Sequence, residues 1–574
     1  MKIQKGIRVF LSDDFVLNNW ADIEPFYADL FNRDLSTLSA FQKWLRDKSE
    51  LDAFLEENLA WRYIKMTINT SDSILSESYQ HFITEIQPKI LPFDNKLCNK
   101  MMDSVFVEEL SKTTSYKILF RSIQTQLSLF REQNIPIQTK IAELSQQYGS
   151  ITGAQNIHYK NEEITMQMAN SFLKNPNELV RKNVYNLITN RKKEDHNKLN
   201  DLFSSLIQKR HQLALNAGYD NFRDYKFISM GRFDYSKQDC FDFHDSIEKN
   251  IVPLVKEIQS KKLKALNKSK FKPWDTSVDP LGRQPLKPFK EVEKLLKGTV
   301  EMFQKMDVYF SDCISTMNEI GHLDLASKKG KAPGGYNYPL YEIGVPFIFM
   351  NAVGTHRDLI TMIHEGGHAV HSFLTKDLEL TSFKELPSEV AELASMSMEL
   401  LSMSEWQTFY PITEDYNRAI KEHLEDILKV LPWIAQIDCF QHWIYENPNH
   451  SIHDRETKWL DLSNRFGTGL VDWTGYEETL KNSWQSQLHL FEVPFYYIEY
   501  GIAQLGAIGI WRNSKSNLKE ALTKYKHALS LGYTLTIPEI YSSAGIRFDF
   551  TNDYVKELAS FIWSEIEKYD GSSK

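Results

Sequence analysis

Two histidines four residues apart, His364 and His368, lie within Thr355–Thr375, THRDLITMIHEGGHAVHSFLT, and this spacing constrains the chain more than any other feature. Residues at i and i+4 stand one above the other on a helix, with Cβ atoms about 5–6 Å apart, so both imidazoles can reach one metal ion at about 2.0–2.1 Å. Glu365 leaves that face by about a third of a turn and points at a metal-bound water, the position of a general base. A helix is expected on independent grounds. Gly354 precedes an N-cap at Thr355, Asp358 completes a capping box, and Leu359, Ile363, Val370 and Leu374 share an apolar face. Gly366 and Gly367 each cost roughly 1 kcal/mol in a helix interior, so they are read as sites where another element comes close.

Two imidazoles leave a catalytic zinc one protein ligand short. His371 continues the same face but sits about 10 Å along the axis from His364, too far to share the ion, and is placed behind the ligands. Pro387–Met403, PSEVAELASMSMELLSM, opens on a helix-starting proline and carries Glu389, Glu392 and Glu399 on one side. A helix there, crossing the first at Gly366–Gly367, offers one glutamate: Glu392 is central, with Glu389 the alternative. Glu399 could orient a ligand histidine.

The rest of the composition sets the frame for this site. With 42% apolar and 25% charged residues over 574 positions, the chain reads as a soluble globular protein, larger than one ordinary core. Lys+Arg 67 against Asp+Glu 76 gives a net charge of −9 with no long basic run, which argues against a nucleic-acid partner. MKIQKGIRVFLSDDF lacks an apolar leader segment and no stretch approaches a membrane span, so a cytoplasmic protein without a membrane partner is expected. Cys98, Cys240, Cys313 and Cys439 are widely separated and form no Cys-x-x-Cys pair. They read as buried thiols rather than a second metal or redox centre.

Along the chain, apolar residues from Trp20 to about Lys140 recur at helical spacing, with breaks such as Asp34–Ser36. Residues 149–165, GSITGAQNIHYKNEEIT, alternate around Lys160–Asn161 and predict a β-hairpin; helices resume from Gln167 to Ala214. Lys268–Phe289 holds four prolines and must be a long loop. Val345–Met350 predicts a strand just before the metal helix. Two readings suit it: an internal strand of a small sheet, or an edge that pairs with an extended peptide. The expected division is an N-terminal helical lobe, 1–200, and a catalytic helical lobe, 201–574, interlocked as one unit. Finally, HLFEVPFYYIEYGIAQ (489–504) places Tyr497 and Tyr500 three apart after Pro494, in a helix with His489 just upstream.

Taken together, HEGGHAVHSF, EVAELASMSMEL and FEVPFYYIEYGIAQLGA, in this order, resemble the oligoendopeptidase F branch of the thimet oligopeptidase family of zinc metallopeptidases. WRYIKMTINTSD and NAGYDNFRDYKF extend the resemblance over most of the chain. It implies a mainly α fold: a helical two-lobed ellipsoid with a deep central channel and a small β-sheet near the active site. It also implies one zinc ion per chain on His364, His368 and Glu392, with Glu365 as base and oligopeptides as substrates, cut internally. His489, Tyr497 and Tyr500 are by resemblance the substrate-binding and oxyanion residues, with Tyr496 a further candidate. Two rivals are a zinc dipeptidyl carboxypeptidase or carboxypeptidase of similar fold, and a non-catalytic peptide-binding scaffold.

Overall fold

Near the N-terminus caps and apolar stripes agree on where helices begin. In the computed structural model, which describes residues 8–569, Trp20–Asn32 starts at Asn19, whose side chain accepts from the Ala21 N–H while Asp22 closes a capping box. The leader-free reading of the N-terminus falls partly on residues 1–7, outside the described residues. Asp34 and Ser36 bond each other at 2.6 Å in the break, and Thr37 caps the 31-residue helix Leu38–Ile68. The two stripes meet in a core that includes Tyr27, Leu30, Phe41, Trp44 and Phe54. Each such side chain removed from water contributes about 1.5–3 kcal/mol. Trp44 satisfies its polar edge by donating Nε1–H to the Leu30 carbonyl at 2.8 Å.

The fold is mainly helical with two small sheets, and the chain forms two compact units, neither of them one continuous stretch. The first comprises the chain up to Glu132, Lys287–Tyr416 and Ala503–Phe548; the second comprises Gln133–Leu286, Asn417–Ile502 and the chain from Asp549 onward. Among the described residues no helix is long and apolar enough to cross a membrane.

The first unit holds a three-stranded sheet in the order Leu323–Ala326, Phe347–Ala352, Tyr336–Tyr338, the first pair parallel and the second antiparallel. Phe347 and Phe349 pack against Ala60 and Ile64 of the long helix, which fixes the sheet's depth. The strand expected at Val345–Met350 thus forms two residues later and is central. Its main-chain groups are taken by neighbours on both sides, so it has no edge to offer a peptide. Among the described residues Tyr336–Tyr338 is paired on one side only and so has an open edge instead.

The second unit carries the hairpin Asn156–Tyr159/Glu162–Thr165, with Lys160 (φ 51°) and Asn161 (φ 67°) both left-handed as a two-residue turn requires. Gly149 and Gly153 are not in it; they end the helix Ile135–Gly153. The proline-rich segment after Lys268 is pinned rather than loose. Asp275, fully buried, accepts from Arg181 and from Lys268, each at 2.6 Å, and Phe271 bridges to Val471.

Candidate metal centre

The histidine helix runs from His356 to Thr375, capped as the sequence predicts: Asp358 N–H donates to the Thr355 hydroxyl, and Thr355 N–H donates to the Asp358 carboxylate at 2.8 Å. Leu359, Ile363 and Val370 are fully buried, while the histidines stay about one-fifth exposed. The glutamate helix Ser388–Leu401 crosses at the paired glycines. A Cβ on Gly367 would stand 2.6 Å from the Ser395 Cα and 2.9 Å from the Ala394 carbonyl oxygen, and one on Gly366 would stand 2.9 Å from the Phe303 ring. Gly367 is therefore needed for the approach of the glutamate helix, whereas Gly366 makes room for the Phe303 side chain.

That crossing delivers Glu392. Its Oε2 lies 3.3 Å from His364 Nε2 and 3.8 Å from His368 Nε2, and the ligand atoms of the three residues all fall within 4.8 Å of one another. Glu389 is not in this group. Ser395 Oγ, 3.3 Å from Glu392 Oε2, steadies the carboxylate from one turn away. Glu399 takes the far side of His364, with Oε1 2.6 Å from Nδ1, which fixes the ring's orientation and aims Nε2 inward. His371 is not in the ligand group and is 1% exposed.

The electrostatics follow from this packing. Burial draws the His364 pKa down, but the Glu392 and Glu399 carboxylates on its two nitrogens raise it well above that of an ordinary imidazole. Burial holds His368 down to about 4 and His371 to about 3, so both are neutral near pH 7. Glu365 is pushed up to about 7, first by burial and then by Glu392 and Glu399, against the opposing charge of His364. A carboxyl poised there suits proton transfer at neutral pH. Two imidazole nitrogens and one carboxylate are the donor set of a catalytic zinc site. His364, His368 and Glu392 would hold such an ion, which would supply Lewis acidity there.

Sequence reasoning missed Asn337, which donates to the Glu365 main-chain carbonyl at 3.2 Å and ties the open-edged strand to the metal helix. No local signal marks it.

The other candidate residues lie in the second unit. The tyrosine helix is Tyr497–Ser516, starting three residues after Pro494 rather than at it. Phe495 intervenes with φ 68°, a conformation unusual for a bulky residue, and is fixed by Gln441 accepting from its N–H and Arg232 donating to its carbonyl. Arg232 also pairs with Glu499 at 2.8 Å, both fully buried. The turn gathers His489, Tyr496, Tyr497 and Tyr500: ring centroids are 4.8 Å apart for His489–Tyr497, 5.7 Å for His489–Tyr500 and 5.3 Å for Tyr496–Tyr500. The Gln487 side-chain amide lies 2.7 Å from His489 Nδ1, leaving Nε2 toward the Tyr500 hydroxyl at 3.4 Å. Glu499, a charge amid apolar neighbours, is the signal from which its buried arginine partner could have been sought.

Known proteins resemble this chain in sequence and in fold. Residues 171–560 match Peptidase family M3, and residues 14–130 match the Peptidase M3 N-terminal domain. The plasmid oligoendopeptidase F of Lactococcus lactis subsp. cremoris is 23% identical over 261 residues, which cover 43% of this chain but only 41% of the relative. An oligoendopeptidase F homolog of Borreliella burgdorferi is 22% identical over 526 residues, 88% of this chain and 85% of that one. The solved structure of PZ peptidase A with inhibitor 2 superposes with a TM-score of 0.91 at 24% identity, covering 96% of this chain and 98% of that one.

Proposed function

We infer from the premise that this chain belongs to peptidase family M3, in its oligoendopeptidase F branch, that it is a zinc-dependent oligoendopeptidase. The single observation that supports this most is the triangle of His364, His368 and Glu392 beside the buried carboxyl of Glu365. Those three would hold one zinc ion, and zinc when bound supplies Lewis acidity to the site. Glu365 accepts a proton from the attacking water as its oxygen bonds to the scissile carbonyl carbon. It then returns that proton to the amine nitrogen as the C–N bond breaks. Glu399 keeps the His364 ring aligned throughout. His489, Tyr497 and Tyr500 are assigned to substrate binding and to hydrogen bonding of the developing oxyanion.

The proposed substrates are short peptides, and the open edge of Tyr336–Tyr338 is the strand that would take their main chain. A cytoplasmic setting suits four cysteines of which none is in a disulfide. The test is mass spectrometry of a mixed peptide library digested with and without a zinc chelator. Internal cuts that the chelator abolishes are expected. Release of C-terminal dipeptides or single residues would replace this reading with a carboxypeptidase, and no cleavage would replace it with a scaffold.

A further inference from the structure

A second group of ligand-type side chains lies wholly within the second unit, on two helices that bring i, i+4 pairs together. Lys237–Asn250 presents Cys240 and His244; Thr413–Glu446 presents Asp438 and His442. The ligand atoms of Cys240, Asp438 and His442 all fall within 4.8 Å of one another. The four residues are 1%, 2%, 0% and 2% exposed for Cys240, His244, Asp438 and His442.

The hydrogen bonding around the group is incomplete in a way that points to a ligand. His244 Nε2 lies 2.9 Å from Asp438 Oδ2 in a good hydrogen bond. His442 Nε2 pairs with the same oxygen at 3.2 Å, while His442 Nδ1 and Asp438 Oδ1 make no hydrogen bond. Leaving such groups buried and unsatisfied costs about 1–3 kcal/mol each. Tetrahedral zinc at its usual bond lengths sets ligand atoms about 3.3–3.7 Å apart, close to the 3.2 Å separation here and to the 3.3 Å between His364 and Glu392.

We propose that Cys240, Asp438 and His442 hold a second metal ion, a thiophilic divalent cation such as zinc, with His244 orienting the Asp438 carboxylate. A sulfur, a nitrogen and an oxygen donor select a borderline cation over magnesium or calcium, which take oxygen ligands. Thiolate and carboxylate both offset positive charge in a site walled by aromatic rings. Phe241 and Phe495 stand 4.9 Å and 5.4 Å from the His442 ring, and Phe227 stands at 5.7 Å. The ion would pin the two helices directly beneath Phe495, the left-handed residue from which the tyrosine helix sets out.

The test is metal content and the spectrum of the full-length protein reconstituted with cobalt(II). The wild-type chain should hold two ions and show sulfur-to-cobalt charge transfer, a band that the sulfur-free His364–His368–Glu392 set cannot produce. Glu392→Ala should lose one ion and keep the band, whichever way the peptidase reading falls. Cys240→Ser should lose the band and one ion, whereas Cys439→Ala, which alters the adjacent thiol, should lose neither. If the wild-type protein shows no charge-transfer band, or if the band survives Cys240→Ser, the group is only a buried hydrogen-bonded network and the proposal is overturned. The wild-type spectrum decides this even if a variant fails to fold.

Discussion

Replacing Gly367 by alanine adds a single methyl group to the histidine helix, yet its effect should be read at the metal. The added Cβ would lie 2.6 Å from the Ser395 Cα, 2.9 Å from the Ala394 carbonyl oxygen and 3.1 Å from the Met398 Cβ. Ordinary carbon–carbon contact is about 3.5–4.0 Å, so the two helices must part by about 1 Å. Two of the three obstacles are backbone and cannot swing aside. Overpacking of this kind costs about 1–3 kcal/mol, while alanine recovers roughly 1 kcal/mol of helix propensity, so the net loss of stability should stay under about 2 kcal/mol. Glu392 rides on the displaced helix, three residues before Ser395, and its carboxylate must close on the two imidazoles to within metal-ligand distance. Disturbing the support of a ligand typically weakens metal binding 10–100-fold, or about 1.4–2.8 kcal/mol. Chelator competition measures the zinc affinity and urea unfolding the stability. Gly366→Ala is the matched control, because its Cβ meets only a movable Phe303 ring and the tip of Ile314; its zinc affinity should stay near that of the wild type. A Gly367→Ala protein that binds zinc as the wild type does would refute the claim that this glycine sets the ligand geometry.

Three further outcomes are expected. Glu365→Gln should keep its zinc while kcat falls by about 10²–10⁴, the usual loss on removing a general acid–base, and elemental analysis alongside a peptide assay checks both halves. Tyr500→Phe deletes only the hydroxyl near His489; as an oxyanion donor its loss should lower kcat and kcat/KM together by about 10²–10³ with KM little changed, and a wild-type kcat would make it a packing residue. The pKa of His371 is held down to about 3, so below about pH 6.5 the unfolded chain takes up a proton that the folded chain refuses. That contribution to stability is complete above pH 6.5 and is lost as pH falls toward 3, by about 1.4 kcal/mol per unit; His371→Leu should flatten this part of a urea-midpoint profile measured against pH, and an unchanged slope would assign the acid sensitivity to other groups.

What could be read from the sequence was what short-range geometry controls. Thr355 and Asp358 form their capping box because both partners lie within four residues, and Pro387 precedes its helix because its φ is preset. Gly366 and Gly367 advertised a crossing because a residue so costly in a helix interior needs a steric reason. What the sequence left open or misplaced lies where the answer depends on pairing across the chain. Val345–Met350 has the composition of a strand whether it sits at an edge or in the centre; only the arrival of Leu323–Ala326 and Tyr336–Tyr338 on its two sides closes it. Likewise Pro494 is a fair helix starter, but Phe495 is turned left-handed by Arg232 and Gln441, residues 263 and 54 positions away, and the helix waits until Tyr497.

The same contrast separates the two candidate metal groups. His364-x3-His368 is legible alone because both candidate ligands, the candidate base and the paired glycines fall within a single helix. Cys240-x3-His244 and Asp438-x3-His442 have the same i, i+4 geometry, yet each taken alone is a cysteine or an aspartate near a histidine, a pairing that solvated helix faces produce freely. Their meaning depends on the hydrogen bond between His244 and Asp438, which spans 194 positions. The reading of the four cysteines as inert thiols therefore rested on sequence spacing. Burial beside an aspartate and a histidine with unsatisfied polar atoms is the physical reason to set Cys240 apart from Cys98 and Cys313.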